Sequence, residues 1–184
     1  MAVGRTRRDK GLLDALEAIA PVPCSAPVWR VVQQGRDPVQ CSRSGGRWDD
    51  ERFDVLYTAQ TKAGAIAEMR FHLMRGQPVF PSRLVCHLYE IDLALKRKLK
   101  LADMAALARL GLDTARFGQL SYQQKRAEYP RSQDIGEAAH FLGFDGLLVP
   151  SARHDCANVV VFCDRVPVNA MSIRKDHGPV SWEE

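Results

Sequence analysis

Most of the familiar signatures of enzyme chemistry are missing from this sequence. No G-x-G-x-x-G follows a strand-like segment, and G-x-x-x-x-G-K-[ST], H-E-x-x-H and G-x-S-x-G do not occur, so Rossmann, P-loop, zincin and esterase sites lose their usual warrants. No apolar run approaches the roughly 18 residues that a membrane span requires, and the basic stretch Met1 to Lys10 has no apolar segment behind it. A cytoplasmic protein with no membrane contact is expected. Cys24, Cys41, Cys86, Cys156 and Cys163 are odd in number, scattered and without a C-x-x-C pair. That pattern disfavours zinc sites and redox couples and predicts free thiols in a reducing compartment.

What is present is ordinary in bulk. The chain has 184 residues, 46% hydrophobic and 26% charged, which excludes wholesale disorder and predicts one core. Its net charge of +4 is spread along the chain without the aromatic interleaving of single-strand binders, so direct nucleic-acid contact is not expected. The densest basic run, Lys96-Arg97-Lys98-Leu99-Lys100, reads as a solvated strand edge or loop, with a phosphate or partner contact as the other reading.

Along the chain, Lys10 to Ala20 has helical amphipathicity and stops at Pro21; Pro21, Pro23 and Pro27 read as a stiff connector before a short strand, Val28 to Gln33. Gly35 to Phe53 lacks periodicity and is a long loop of the kind that tends to be functional. Asp54 to Ala59 has strand composition, and Thr58 or Thr61 can cap a helix from Lys62 to Arg75, with Gly76 as its stop. Arg83 to Leu93 and Lys98 to Ala102 read as two strands, followed by a short helix over Asp103 to Arg109. Asp134 with Glu137 resembles a capping box opening a helix that ends at Gly143. Leu147 to Pro150 and Asn158 to Cys163 have the apolar character of buried strands. From about Asn169 the pattern fades into an expected mobile tail. Helices and strands do not alternate regularly, so the fold class is α+β, a single mixed α/β domain. The expected organisation is residues 1–27 as N-terminal helix and connector, 28–166 as the domain proper and 167–184 as the tail.

Three places could carry chemistry. In Ser44-Gly45-Gly46-Arg47-Trp48, paired glycines allow close backbone approach and an arginine fork can hold a phosphate; a glycine turn with a surface arginine stacked on Trp48 is the plain alternative. Glu68 has Gly64, Ala65, Phe71 and His72 as its helical neighbours. A carboxylate among small and apolar groups needs a reason, so Glu68 reads equally as half of a structural ion pair with an arginine and as a catalytic residue. His72 at i+4 adds no metal site, because a third and fourth ligand are not in view. Tyr57 ends a strand that leads into the Glu68 helix and can share a cleft with it, or be an ordinary half-buried tyrosine. Ser151 and Asn158 flank a strand-to-strand turn, where hydroxyl and amide either bind a ribose or phosphate or form the turn.

Taken in order, Val28-Trp29-Arg30, Gly45-Gly46-Arg47-Trp48, Leu56-Tyr57-Thr58-Ala59, Ala67-Glu68 with His72, Gly143-Phe144-Asp145-Gly146-Leu147-Leu148-Val149-Pro150-Ser151 and Asn158 to Phe162 resemble the RES-domain family. The resemblance implies a fold like that of the ADP-ribosyltransferases. It implies a toxin of a toxin–antitoxin pair that consumes NAD as substrate, without a metal, and passes ADP-ribose to water, phosphate or a target protein. It implies a helix-turn-helix, Xre-like antitoxin covering the active site. Catalytic roles fall by resemblance on Arg47, Tyr57 and Glu68, and NAD contacts on Arg47, Tyr57, Arg30, Ser151 and Asn158. Asp49-Asp50-Glu51-Arg52 departs from the family, where many members continue with Asn and Gly. Two competing readings are a basic nucleic-acid-binding or ribonuclease-type toxin and a non-catalytic partner-binding domain.

Overall fold

A computed structural model describes residues 7–75, 79–81, 83–119 and 125–182. Helix α1 (Lys10–Glu17) is N-capped by Asp9, whose carboxylate accepts from the Leu12 amide at 3.2 Å, and it buries Leu12 and Leu16. Strands β1 (Val22–Gln33) and β2 (Val55–Ala59) precede helix α2 (Lys62–Leu73), capped by the Thr61 hydroxyl. The long strand β3 (Cys86–Lys100), helices α3 (Met104–Arg109) and α4 (Lys125–Phe141), and strands β4 (Gly146–Pro150), β5 (Ala157–Phe162) and β6 (Met171–Pro179) complete the order.

The sheet order is β1-β2-β5-β4-β3-β6, and β1 also pairs with β3, so the ladder bends round on itself. Among the described strands only β3 and β4 run parallel and the other pairs are antiparallel, in keeping with an α+β domain. Val160 and Phe162 face one core with Leu12, Ile135 and Leu147, while Val159 and Val161 face another with Val28, Ile91 and Leu148. Both faces of β5 are covered, which is why Asn158 to Phe162 reads as a continuous apolar run rather than an alternating one.

Several expectations are corrected. Pro23 and Pro27 lie inside β1, which pairs only with β3 until Trp29 meets Ala59; a proline is tolerated there because one side of the strand has no ladder to donate to. The two strands expected around residues 83–102 are one strand that changes partner, from β1 and β6 to β4, near Lys98. The basic run is therefore not a free edge: Lys98 is buried, and the Lys96 and Arg97 amides donate to Asp145 at 2.7 and 2.9 Å. Asp134 caps nothing, since α4 is already running when it is reached, with Pro130 inside it. Helix α2 stops at Leu73, and Gly76 lies outside the described residues.

The segment beyond Asn169 is not a loose tail. It forms β6, hydrogen-bonded along β3, with Arg174 paired to Asp92 at 2.9 Å and His177 to Glu90 at 3.0 Å. Its side chains are nearly all exposed, so it carries no hydrophobic pattern to betray it. Nor are all five thiols free. Cys41 and Cys163 form a disulfide, while Cys24, Cys86 and Cys156 are free. The Ser42–Val55 bridge and the Cys163 amide donating to the Asp54 carbonyl at 2.9 Å bring the two cysteines together across 122 positions of sequence.

Candidate active site

A cavity of about 350 Å³ opens between the Arg47 loop, β2, α2 and the β4–β5 turn. Gly64 sets the approach of α2. A Cβ there would stand 2.4 Å from the Cys156 sulfur, so glycine lets the first turn of the helix pack on the β4–β5 turn. One turn later Glu68 reaches the ends of both strands. Its Oε1 accepts from the Ser151 hydroxyl at 2.7 Å and the Asn158 amide at 2.8 Å. Among the described residues no donor falls on Oε2, and no cation forms an ion pair with Glu68. The structural ion pair that the sequence left open is thus not what holds this carboxylate.

The Arg47 loop is built around Asp49, which is fully buried. Its carboxylate accepts from the Gly45 amide at 2.9 Å, the Gly46 amide at 2.8 Å and the Tyr57 hydroxyl at 2.6 Å. Tyr57 in turn accepts from the Trp48 amide at 3.0 Å. Gly46 is required here because a Cβ would lie 2.5 Å from the Tyr57 oxygen, and Gly45 adopts the left-handed φ of 63°. Burial first, then the Asp49 charge, drives the Tyr57 pKa well above its usual value, so the side chain is a neutral phenol at any physiological pH. Its hydroxyl is committed on both sides, which leaves the ring as the part that can meet a ligand.

Trp48 is 2% exposed and does not stack on Arg47. The Arg47 guanidinium instead lies over Phe117 and Tyr129, 4.5 and 4.9 Å from the ring centroids, and pairs with Glu128. Glu128 Oε1 also accepts from the Gly118 amide at 2.7 Å. Arg30 lines the cavity too, but its Nη1 donates to the Pro38 carbonyl at 2.6 Å, and burial lowers its pKa to about 10. His72 stands at the rim. Desolvation by the surrounding protein, and then the Arg75 charge, hold its pKa down at about 4, so it is uncharged near neutrality. Among the described residues no cluster of His, Cys, Asp and Glu could hold a metal.

The cavity therefore gathers Arg30, Arg47, Tyr57, Glu68 and Asn158, with Ser151 directly behind Glu68. Asp49, Glu128 and Arg153 were not singled out as site residues from sequence. Asp49 carries no local signal, being one acid among Asp49-Asp50-Glu51, and Glu128 reaches Arg47 across 81 positions. The lining includes four arginines, Arg30, Arg47, Arg75 and Arg153, against the one carboxylate of Glu68. Such a site suits a polyanion that places a positively charged or charge-developing atom at Glu68.

The RES-domain family model matches residues 27–183, and the chain belongs to that family. The fold is a mixed α/β one. It is similar to a chain in the crystal structure of the M. tuberculosis MbcT–MbcA toxin–antitoxin complex, with a TM-score of 0.75, 22% identity and 92% of each chain covered. No curated protein matches the sequence significantly.

Proposed function

We propose that this RES domain is the toxin of a toxin–antitoxin pair, that it cleaves the nicotinamide–ribose bond of NAD, and that it passes ADP-ribose to water, phosphate or a target protein. The observation that carries the reading is the Glu68 carboxylate, held by Ser151 and Asn158 on one oxygen at the wall of an arginine-rich cavity. When the glycosidic bond breaks, its electron pair leaves with nicotinamide, which becomes neutral, and the ribose develops oxocarbenium character. A fixed carboxylate beside that centre stabilises the cation without having to reorganise. The acceptor oxygen then bonds to the anomeric carbon and loses its proton.

In this reading Glu68 contacts the nicotinamide ribose, Tyr57 offers its ring to the nicotinamide, and Arg47 holds a phosphate. Arg47 spends one donor on Glu128, and a guanidinium has five. Ser151 and Asn158 orient Glu68 in the free protein. Arg30 shapes the wall by pinning the loop at Pro38 and Gln40. The family implies a helix-turn-helix antitoxin that covers the cavity. No helix among the described residues is long and apolar enough to cross a membrane.

The test is to purify the protein with its Glu68→Ala and Arg47→Ala forms, confirm their folding by circular dichroism, and follow NAD. Loss of NAD by the parent and its slowing by about 10²- to 10³-fold in the variants is expected. Folded variants as fast as the parent would remove these roles. Labelled NAD incubated with cell lysate separates the acceptors: a labelled protein band marks transfer, free ADP-ribose marks hydrolysis, and its 1″-phosphate marks phosphorolysis.

A further inference from the structure

Arg153 is a cavity-lining cation that has no ion-pair partner among the described residues. It lies in the β4–β5 turn, two residues after Ser151, and its backbone amide donates to the Ser151 hydroxyl at 3.1 Å, the same hydroxyl that holds Glu68. Its guanidinium lies over Phe71, 3.3 Å from the ring centroid, and Nη1 donates to the Gly118 carbonyl at 2.9 Å. Among the described residues no carboxylate stands within ion-pairing distance of it, whereas Arg47 is matched by Glu128. Gly118 links the two guanidinium groups, its carbonyl accepting from Arg153 and its amide donating to the Glu128 carboxylate that pairs with Arg47; partial burial and then the Arg47 charge lower the Arg153 pKa, against the opposite pull of Glu68 and Glu128.

A half-buried guanidinium without a counter-ion is costly unless a ligand completes it. Its position is also fixed in advance. The Phe71 ring and the Gly118 carbonyl hold the plane, and donors beyond Nη1 remain to form a fork on an anion. Two forks side by side, one of them half-neutralised by Glu128, match the two adjoining phosphates of a diphosphate better than a single phosphate. A neutral ligand would leave the pair repelling each other.

We infer that Arg153 is a substrate-binding residue that, together with Arg47, clamps the diphosphate of the nucleotide substrate while the Ser151–Glu68 pair next to it engages the ribose. The inference rests on the NAD reading for the identity of that nucleotide, and it adds a binding residue to it. Arg153 contributes to capture and not to bond cleavage, because it is tied to the phosphate side of the ligand. Its effect therefore falls on KM.

The experiment compares the full chain with Arg153→Gln and Arg153→Lys, each verified as folded by circular dichroism and thermal melt. Steady-state turnover is measured with NAD and with nicotinamide riboside, which has the scissile bond but no phosphate, and calorimetry measures binding of ADP-ribose and inorganic pyrophosphate. For Arg153→Gln, KM for NAD and Kd for ADP-ribose rise about 10- to 100-fold, the weight of one charge-assisted contact, while kcat stays within about threefold. Riboside turnover is unchanged, and Arg153→Lys recovers part of the loss. Equal losses on NAD and riboside would mean a structural role and overturn the inference, as would an unaltered KM. Pyrophosphate binding that depends on Arg153 without any NAD turnover would keep the clamp and remove NAD as its ligand. A parent that binds neither pyrophosphate nor ADP-ribose overturns the clamp itself.

Discussion

Gly136→Ala is a substitution far from the cavity in sequence that should reach the site through the backbone. Gly136 lies in α4 where the helix crosses behind the Arg47 loop, and a Cβ there would sit 1.9 Å from the Trp48 carbonyl oxygen and 2.9 Å from its carbon. Ordinary van der Waals contact begins near 3.4 Å, so helix and loop must part by about 1.5 Å. Backbone lies on both sides, and no side-chain rotation can relieve the contact. In the preceding turn, Gln133 donates to the Gly46 and Asp49 carbonyls at 2.9 and 3.0 Å, and separation stretches both bonds. Overpacking costs about 1–3 kcal/mol and each weakened hydrogen bond roughly 1 kcal/mol, against a helix-propensity gain of about 1 kcal/mol for alanine. The net destabilisation is about 2–4 kcal/mol, or a Tm lower by about 4 to 16 °C for a chain of this size. Because Arg47 and Trp48 move with the loop, a displacement on the order of 1 Å should also slow NAD consumption by about 10²-fold. The assays are a thermal melt and NAD turnover on the same preparation. A variant as stable and as active as the parent would refute the packing of α4 on this loop.

Glu68→Gln keeps an oxygen for Ser151 and Asn158 to donate to, so stability should stay within about 1 kcal/mol while NAD turnover falls about 10²- to 10³-fold; a parent-like rate sinks the assignment. Tyr57→Phe removes the donor to Asp49 and should cost about 1–3 kcal/mol in denaturant melts. The Tyr57 pKa is higher folded than unfolded, so the stability linked to its proton is present below about pH 10 and is lost as the pH rises beyond it. The drop in Tm between about pH 9.5 and 11 should accordingly be smaller in the phenylalanine form, and identical pH profiles would contradict the burial of the phenol. Reducing the protein, or making Cys41→Ser, should lower stability by about 2–4 kcal/mol because the Cys41–Cys163 link closes a long loop, while Cys24→Ser leaves the response to reductant intact. Peptide mass spectrometry that finds Cys41 and Cys163 both free in the oxidised protein would dismiss that link.

Local pattern made much of the architecture legible. The apolar run from Asn158 to Phe162, the Thr61-capped helix bearing Glu68 and the Asp103-capped helix α3 all follow from propensities within a few residues. Where sequence reading failed, the deciding partner or boundary lay outside the few residues that carried the signal. Pro23 and Pro27 looked like breakers until β3 supplied a one-sided ladder, and the Asp134–Glu137 spacing looked like a cap until α4 proved to start earlier. Strand β6 has almost no buried face, so only its hydrogen bonds to β3 reveal it.

The candidate site divides in the same way. By itself the sequence determined the α+β class, the family, the loop that carries Arg47 and the oddly placed Glu68, because each is written in residue type and short spacing. Only the tertiary structure decided that Glu68 is held by Ser151 and Asn158, that Asp49 organises the loop and closes off the Tyr57 hydroxyl, and that Glu128 pairs with Arg47 while Arg153 has no ion-pair partner among the described residues. Those facts depend on distances between groups up to 90 positions apart, and chain spacing does not encode a distance until the sheet and helices have packed.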